Sequence, residues 1–159
     1  MKKVILAIMM ALLLPGILSA ADSAATGEEG TRMVCVVPGG QFTRIRSGPS
    51  KTSAEVDRIH NGDEIVAVTV DNGFVKFLWD GQYRYAAAEF FEIPDGDKYV
   101  VQGNGRVAKR AKPNGQRTGW LSPGIKIDVL AWRYDSKGIM WGRVYGGDYV
   151  KKEFLEHES

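Results

Sequence analysis

Cysteine and histidine are scarce in this chain: Cys35 stands alone, and His60 and His157 supply the only imidazoles. One cysteine closes no intramolecular disulfide. Cysteine peptidase chemistry needs a thiol, an imidazole and an orienting group held together, and nothing in the spacing pairs Cys35 with a histidine. Cys35 lies in Met33-Val34-Cys35-Val36-Val37, a β-branched run that predicts a buried strand and a thiol serving as a small apolar core group. His60 stands beside the turn Asn61-Gly62, and His157 lies in the C-terminal tail. His-x-x-x-His, Cys-x-x-Cys and clustered carboxylates are missing, so zinc has no ligand set. No glycine-rich loop leads into a helix, which leaves nucleotide phosphates without a cradle. The expectation is no enzyme, no cofactor, no metal and no nucleic-acid partner.

Long apolar runs are lacking too, except at the start. Lys2 and Lys3 precede the run from Val4 to Leu14, Pro15 and Gly16 break it, and small residues follow at Ser19, Ala20 and Ala21. This is the layout of a secretory signal peptide, residues 1–21, cleaved after Ala20 or Ala21. The run falls short of the roughly 20 residues that span a membrane, and no cysteine follows it to carry a lipid. The mature protein is therefore expected to be periplasmic or secreted, with no membrane insertion after cleavage. Residues 22–31 lack periodicity and large apolar groups and read as a flexible leader.

Charge is nearly balanced, with 21 basic and 19 acidic residues, and without Lys2 and Lys3 it cancels. Its distribution does not. Residues 32–96 hold 7 basic and 9 acidic groups, a net −2, while residues 97–159 hold 12 and 7, a net +5. The second half suits either an anionic partner or a plain solvated surface.

What is abundant is turn chemistry between short β-rich runs. Glu64 to Val70, Phe74 to Trp79 and Ile125 to Tyr134 are separated by Asn61-Gly62-Asp63, Asp71-Asn72-Gly73, Asp80-Gly81, Asn114-Gly115 and Gly146-Gly147, among others. Such segments supply the positive-φ positions of tight hairpins, and this density of turns predicts an all-β chain.

The pattern also repeats. Arg46-Ser47-Gly48-Pro49 answers to Arg110-Ala111-Lys112-Pro113, and Asn61-Gly62 to Pro123-Gly124. Gly73-Phe74-Val75-Lys76-Phe77 answers to Met140-Trp141-Gly142-Arg143-Val144. Tyr85 and Glu89-Phe90-Phe91 answer to Tyr149 and Glu153-Phe154-Leu155 at identical internal spacing. Two units of about 60 residues follow, each marginal alone, so they are expected to pack together.

The first repeat resembles the bacterial SH3 domain, an extracellular SH3-like barrel often attached to cell-wall hydrolases. The resemblance covers about 42–93. It rests on Arg44-Ile45-Arg46-Ser47-Gly48-Pro49-Ser50, then Val56 and Ile59, Gly62 opening the Ile65/Ala67 strand, Gly73 to Phe77, and the closing Ala88 to Phe91. The second repeat, about 100–156, is similar but weaker: Lys112 replaces the turn glycine, while Trp141-Gly142-Arg143-Val144 keeps the tryptophan strand. Both depart from the family where glycine usually precedes the closing aromatic, with Arg84 before Tyr85 and Asp148 before Tyr149. The resemblance implies two tandem small SH3-like β-barrels, 32–94 and 97–159, that bind cell-wall peptide or an envelope protein.

Strand alternation sorts the candidate ligand residues. With Phe77 and Val144 pointing inward, Phe74 and Trp141 point away. With Ile125, Ile127 and Val129 inward, so do Trp132 and Tyr134. These two, with Trp141 and Tyr145, are aromatics of the kind favoured at recognition surfaces; packing between the barrels is the competing use of Phe74 and Trp141. Tyr85 and Tyr149, on the closing strands, divide between the two uses. Arg46 and Arg110 either hold their own loops or meet a ligand. Trp79 and Trp120 are expected to be structural. Three functions stay in view: docking to peptidoglycan or its stem peptides, acting as an adaptor or inhibitor of a separate cell-wall hydrolase, and binding an anionic polymer.

Overall fold

The computed structural model describes residues 30–159; the signal peptide and nearly all of the leader lie outside the described residues. Described residues form an all-β structure. The first half supplies β1 (Thr31–Cys35), β2 (Phe42–Arg46), β3 (Glu55–His60), β4 (Glu64–Asp71), β5 (Phe74–Trp79), β6 (Gln82–Ala87) and β7 (Phe91–Pro94). The second supplies β8 (Lys98–Val101), β9 (Val107–Arg110), β10 (Arg117–Leu121), β11 (Lys126–Tyr134), β12 (Met140–Val144), β13 (Tyr149–Lys151) and β14 (Leu155–His157). A 3-10 turn precedes the last strand of each half, at Ala88–Phe90 and Lys152–Phe154. The first strand already includes Thr31, the last residue assigned to the leader.

Hairpins form where the turn residues allow them. Asn72, Asp80 and Asn114 have φ of 49°, 49° and 56°, values that asparagine and aspartate adopt more readily than other non-glycine residues.

The sequence repeat is a structural repeat. Hydrogen-bonded neighbours run β7-β1-β4-β5-β6-β2-β3 in the first half and β14-β8-β11-β12-β13-β9-β10 in the second, all antiparallel. The Cys35 N–H donates to the Asp63 carbonyl and the Cys35 carbonyl accepts from the Gly62 N–H; Val101 does the same with Ile125 and Gly124. Even the irregularities recur. A bulge between Ala67 and Thr69 faces Phe77 and Lys76, and one between Val129 and Ala131 faces Val144 and Arg143.

Each half has its own apolar cluster. Met33, Cys35, Ile45, Ile59, Ile65, Val75, Phe77 and Phe91 fill the first. The second is smaller, with Val101, Val107, Val144 and Val150 flanked by Leu121, Ile127, Phe154 and Leu155.

The halves pack together, as their size requires. Strand β7 pairs with β1 on one side and β11 on the other, and Tyr134 of β11 packs on the first cluster. Between them Glu92 is buried with Arg143 Nη2 at 3.0 Å and Arg133 Nε at 3.7 Å, and it accepts from the Tyr149 hydroxyl at 3.4 Å. Arg133 also donates to the Val36 carbonyl at 2.6 Å. A buried carboxylate is tolerated only with such partners, so these charges tie the two halves in one relative position.

Candidate functional site

Two grooves are built from equivalent residues. The first, about 620 Å³, is lined by Phe42, Arg44 and Arg46 of β2, Lys51 of the next loop, Phe74 at the start of β5, and Ala87, Glu89 and Phe90. The second, about 280 Å³, is lined by Ala108 and Arg110 of β9, Trp141 of β12, and Lys151, Glu153 and Phe154. By the repeat, Arg46 matches Arg110, Phe74 matches Trp141, Ala87 matches Lys151, Glu89 matches Glu153, and Phe90 matches Phe154. A third pocket of about 400 Å³ lies on the seam, where Pro38 and Glu89 of the first half meet Lys112, Asn114, Arg133, Tyr134 and Asp135 of the second. It shares Glu89 and Phe90 with the first groove and Asn114 with the second.

The arginines hold the groove walls. Arg46 Nη1 donates to the Ser53 carbonyl and Arg110 Nη1 to the Gly115 carbonyl, each at 2.8 Å. Phe74 and Trp141 lie outside the two apolar clusters, as strand parity requires, yet are only 9% and 3% exposed. They are groove floors rather than projecting rings: Ala87, Glu89 and Phe90 line the groove with Phe74, and Lys151, Glu153 and Phe154 the one with Trp141.

Trp141 is held by its indole, which donates to Asp135 at 3.1 Å. Asp135 also accepts from the backbones of Lys137 and Ile139, both at 2.9 Å, and from the Asn114 amide. Burial is the largest single influence on this carboxyl and pushes its pKa up. The bonds from Ile139, Lys137, Trp141 and Asn114 together outweigh it and hold the group below the usual aspartate range.

The grooves differ in charge. Lys151 Nζ lies 2.7 Å from Glu153, whereas alanine occupies the equivalent position beside Glu89. Among the described residues Glu89 has no hydrogen-bond or ion-pair partner.

No family model and no curated protein matches the chain. Solved structures similar to it include NlpC1 from Trichomonas vaginalis, at 12% identity and a TM-score of 0.37 over 91% of this chain and 52% of that one. NlpC2 from the same organism is 10% identical with a TM-score of 0.38, over 84% and 50% of the two chains. Ly7917 is 15% identical with a TM-score of 0.33, over 85% and 65%. The chain thus spans about half the length of the first two.

Other candidates fall elsewhere. Trp132 is not outward: the bulge at Leu130 shifts the phase of β11 by one residue, so Trp132 sits opposite Gly142 and is 7% exposed. Its indole donates to the Asp95 carboxylate. Tyr134 is likewise turned onto the first cluster, where it also lines the seam pocket. Tyr149 is buried beneath Glu92. Tyr85 is half-buried opposite Arg46, and Tyr149 is the matching partner of Arg110. Tyr145 is 86% exposed in its turn and lines none of these three pockets. Trp79 is structural as expected, packed on the first cluster with its indole on Asp57 at 2.9 Å. Trp120 is not. It stands exposed on β10, at the end of the strand order, with Arg106 and Arg117 over its ring.

Sequence reasoning passed over Phe42, Glu89 and Glu153 as site residues. The identical spacing of Glu89-Phe90 and Glu153-Phe154 after the closing tyrosines was the available signal. Cys35 is fully buried; desolvation, helped by Asp63, pushes its thiol up to about 11. The His60 side chain faces solvent beside Asp63.

Proposed function

We propose that this chain is an exported, non-catalytic binding protein of two tandem SH3-like barrels, 32–94 and 97–159, that docks to peptidoglycan or its stem peptides. The observation that carries this reading is the groove assembled twice from one pattern: an arginine, an aromatic floor, a carboxylate and a phenylalanine. The arginines close their own loops and the aromatics pack largely within the fold, so the recurrence that the fold does not itself require is that of the carboxylates, Glu89 and Glu153. Aromatic surface with a few charged groups at fixed places suits a peptide, whose backbone and termini are polar and whose side chains are not. The buried Cys35 thiol, its pKa pushed up to about 11, is unsuited to act as a nucleophile, since the thiolate is the attacking form.

Sedimentation with insoluble peptidoglycan tests the proposal. The mature protein should pellet with the sacculi, and a Lys51→Glu variant, altered at an exposed position of the first groove, should pellet less. Recovery no greater than that of an unrelated protein of similar size would end the reading.

A further inference from the structure

We infer that the two grooves are not equivalent: the first receives an ammonium group of a zwitterionic peptide on Glu89, while the second is closed to such a ligand by its own Lys151. This rests on the grooves being the binding sites.

The repeat supplies its own comparison. Glu89 and Glu153 occupy matching places after matching strands, next to Phe90 and Phe154. In the second groove the carboxylate already has its cation, Lys151 at 2.7 Å, and the groove has less than half the volume of the first, about 280 against 620 Å³. In the first, Ala87 stands where the lysine would be. Glu89 is partly buried and unpartnered among the described residues, in a groove that Phe42, Phe74 and Phe90 also line. The Phe42 ring already carries the Arg58 guanidinium, 4.3 Å from its centroid, and Phe74 is largely buried, so it is the charge of Glu89, drawn partly out of water, that favours a cation here.

The rest of that groove is cationic. Arg44 is held by Glu55 at 2.9 Å and Arg46 by the Ser53 carbonyl, but exposed Lys51 has no partner among the described residues. A ligand with an ammonium at one end and a carboxylate further along satisfies both Glu89 and Lys51. The class is therefore a short peptide with a free amine and a free carboxylate; the amine comes from the N-terminus or from a lysine-like side chain.

Titration of the full mature chain with the tripeptide Ala-Glu-Lys, followed by calorimetry, tests this. Glu89→Gln should weaken binding about tenfold, the loss of one charge-assisted hydrogen bond. Glu153→Gln should cost clearly less, because that carboxylate already has Lys151 beside it. Acetylating either the α- or the ε-amine of the probe should reproduce the Glu89→Gln loss and so identify the amine. No measurable binding, no loss with Glu89→Gln, equal losses in the two variants, or indifference to both acetylations would each overturn the inference. Sedimentation with sacculi in parallel separates the two readings. Sacculus binding unaffected by Glu89→Gln leaves wall docking standing and sinks this inference; Glu89-dependent peptide binding without sacculus binding does the reverse.

Discussion

Arg46 and Arg110, sixty-four positions apart, make the same hydrogen bond: each guanidinium donates at 2.8 Å to a carbonyl of the loop that follows its strand. The backbone ladder behind them matches as well, with Arg46 opposite Tyr85 and Arg110 opposite Tyr149. The Arg-x-x-Pro recurrence therefore has a structural use in both halves, closing the loop that forms one groove wall.

Replacing either arginine by methionine keeps the aliphatic stem and removes the donor. Each change should lower stability by about 1–2 kcal/mol, read as a drop in the urea midpoint. Lysine should restore it only in part, because its side chain is shorter and its ammonium more strongly hydrated than the guanidinium. An unchanged midpoint for both methionine variants would show that the loops hold themselves.

Acid should weaken the fold through Asp95 and Asp135. Asp95 accepts from Gly96, Asp97, Tyr99 and Trp132. As at Asp135, burial raises its pKa and is outweighed by these bonds, so both carboxyls are held low. A group whose folded pKa lies below its unfolded value adds stability above the unfolded value, about 3.9 for aspartate. That stability is lost as pH falls through the folded value. Urea midpoints should thus hold from neutrality to about pH 5 and fall below pH 4. In Asp95→Asn/Asp135→Asn the neutral-pH midpoint should already be lower and the acid fall shallower.

Cys35 should be inert in the native state. A fully buried thiol with its pKa near 11 should react with a disulfide reagent at pH 8 only as fast as the protein opens. Cys35→Ala should cost about 1–2 kcal/mol through the small cavity it leaves and leave peptide binding unaltered. Release of soluble fragments from sacculi by the wild type, lost in Cys35→Ala, would contradict the non-catalytic proposal.

The seam between the halves can be probed at Gly73. Its φ is +77°, and a Cβ there would sit 2.5 Å from the Ser136 carbonyl of the second half. Gly81 has nearly the same φ, +73°, with open space around it. Gly81→Ala should cost only the backbone strain, about 1–2 kcal/mol. Gly73→Ala should cost that plus a further 1–3 kcal/mol for the clash, on the order of overpacking elsewhere. Equal losses by thermal unfolding would mean the halves part freely at this point.

Much was legible in the chain itself because it depends on neighbours in sequence. Asparagine, aspartate and glycine placed the turns, β-branched runs placed the strands, and Met33 to Val37 marked Cys35 as core. The duplicated landmarks foretold a strand order that runs twice in the same path. What required the folded molecule was everything set by a partner strand or by the other half. The period-two rule aimed Trp132 outward; a one-residue bulge at Leu130, visible only against β12, turned it in. Parity put Phe74 and Trp141 off the apolar clusters but said nothing of their burial, at 9% and 3% exposure. Trp120 carries Arg106 and Arg117 over its ring and stays 44% exposed because β10 ends the strand order, and Glu89 is free while Glu153 is not because Ala87 and Lys151 stand at matching places in the two grooves. Alternation is a local rule, whereas burial and charge pairing depend on what the rest of the chain brings alongside.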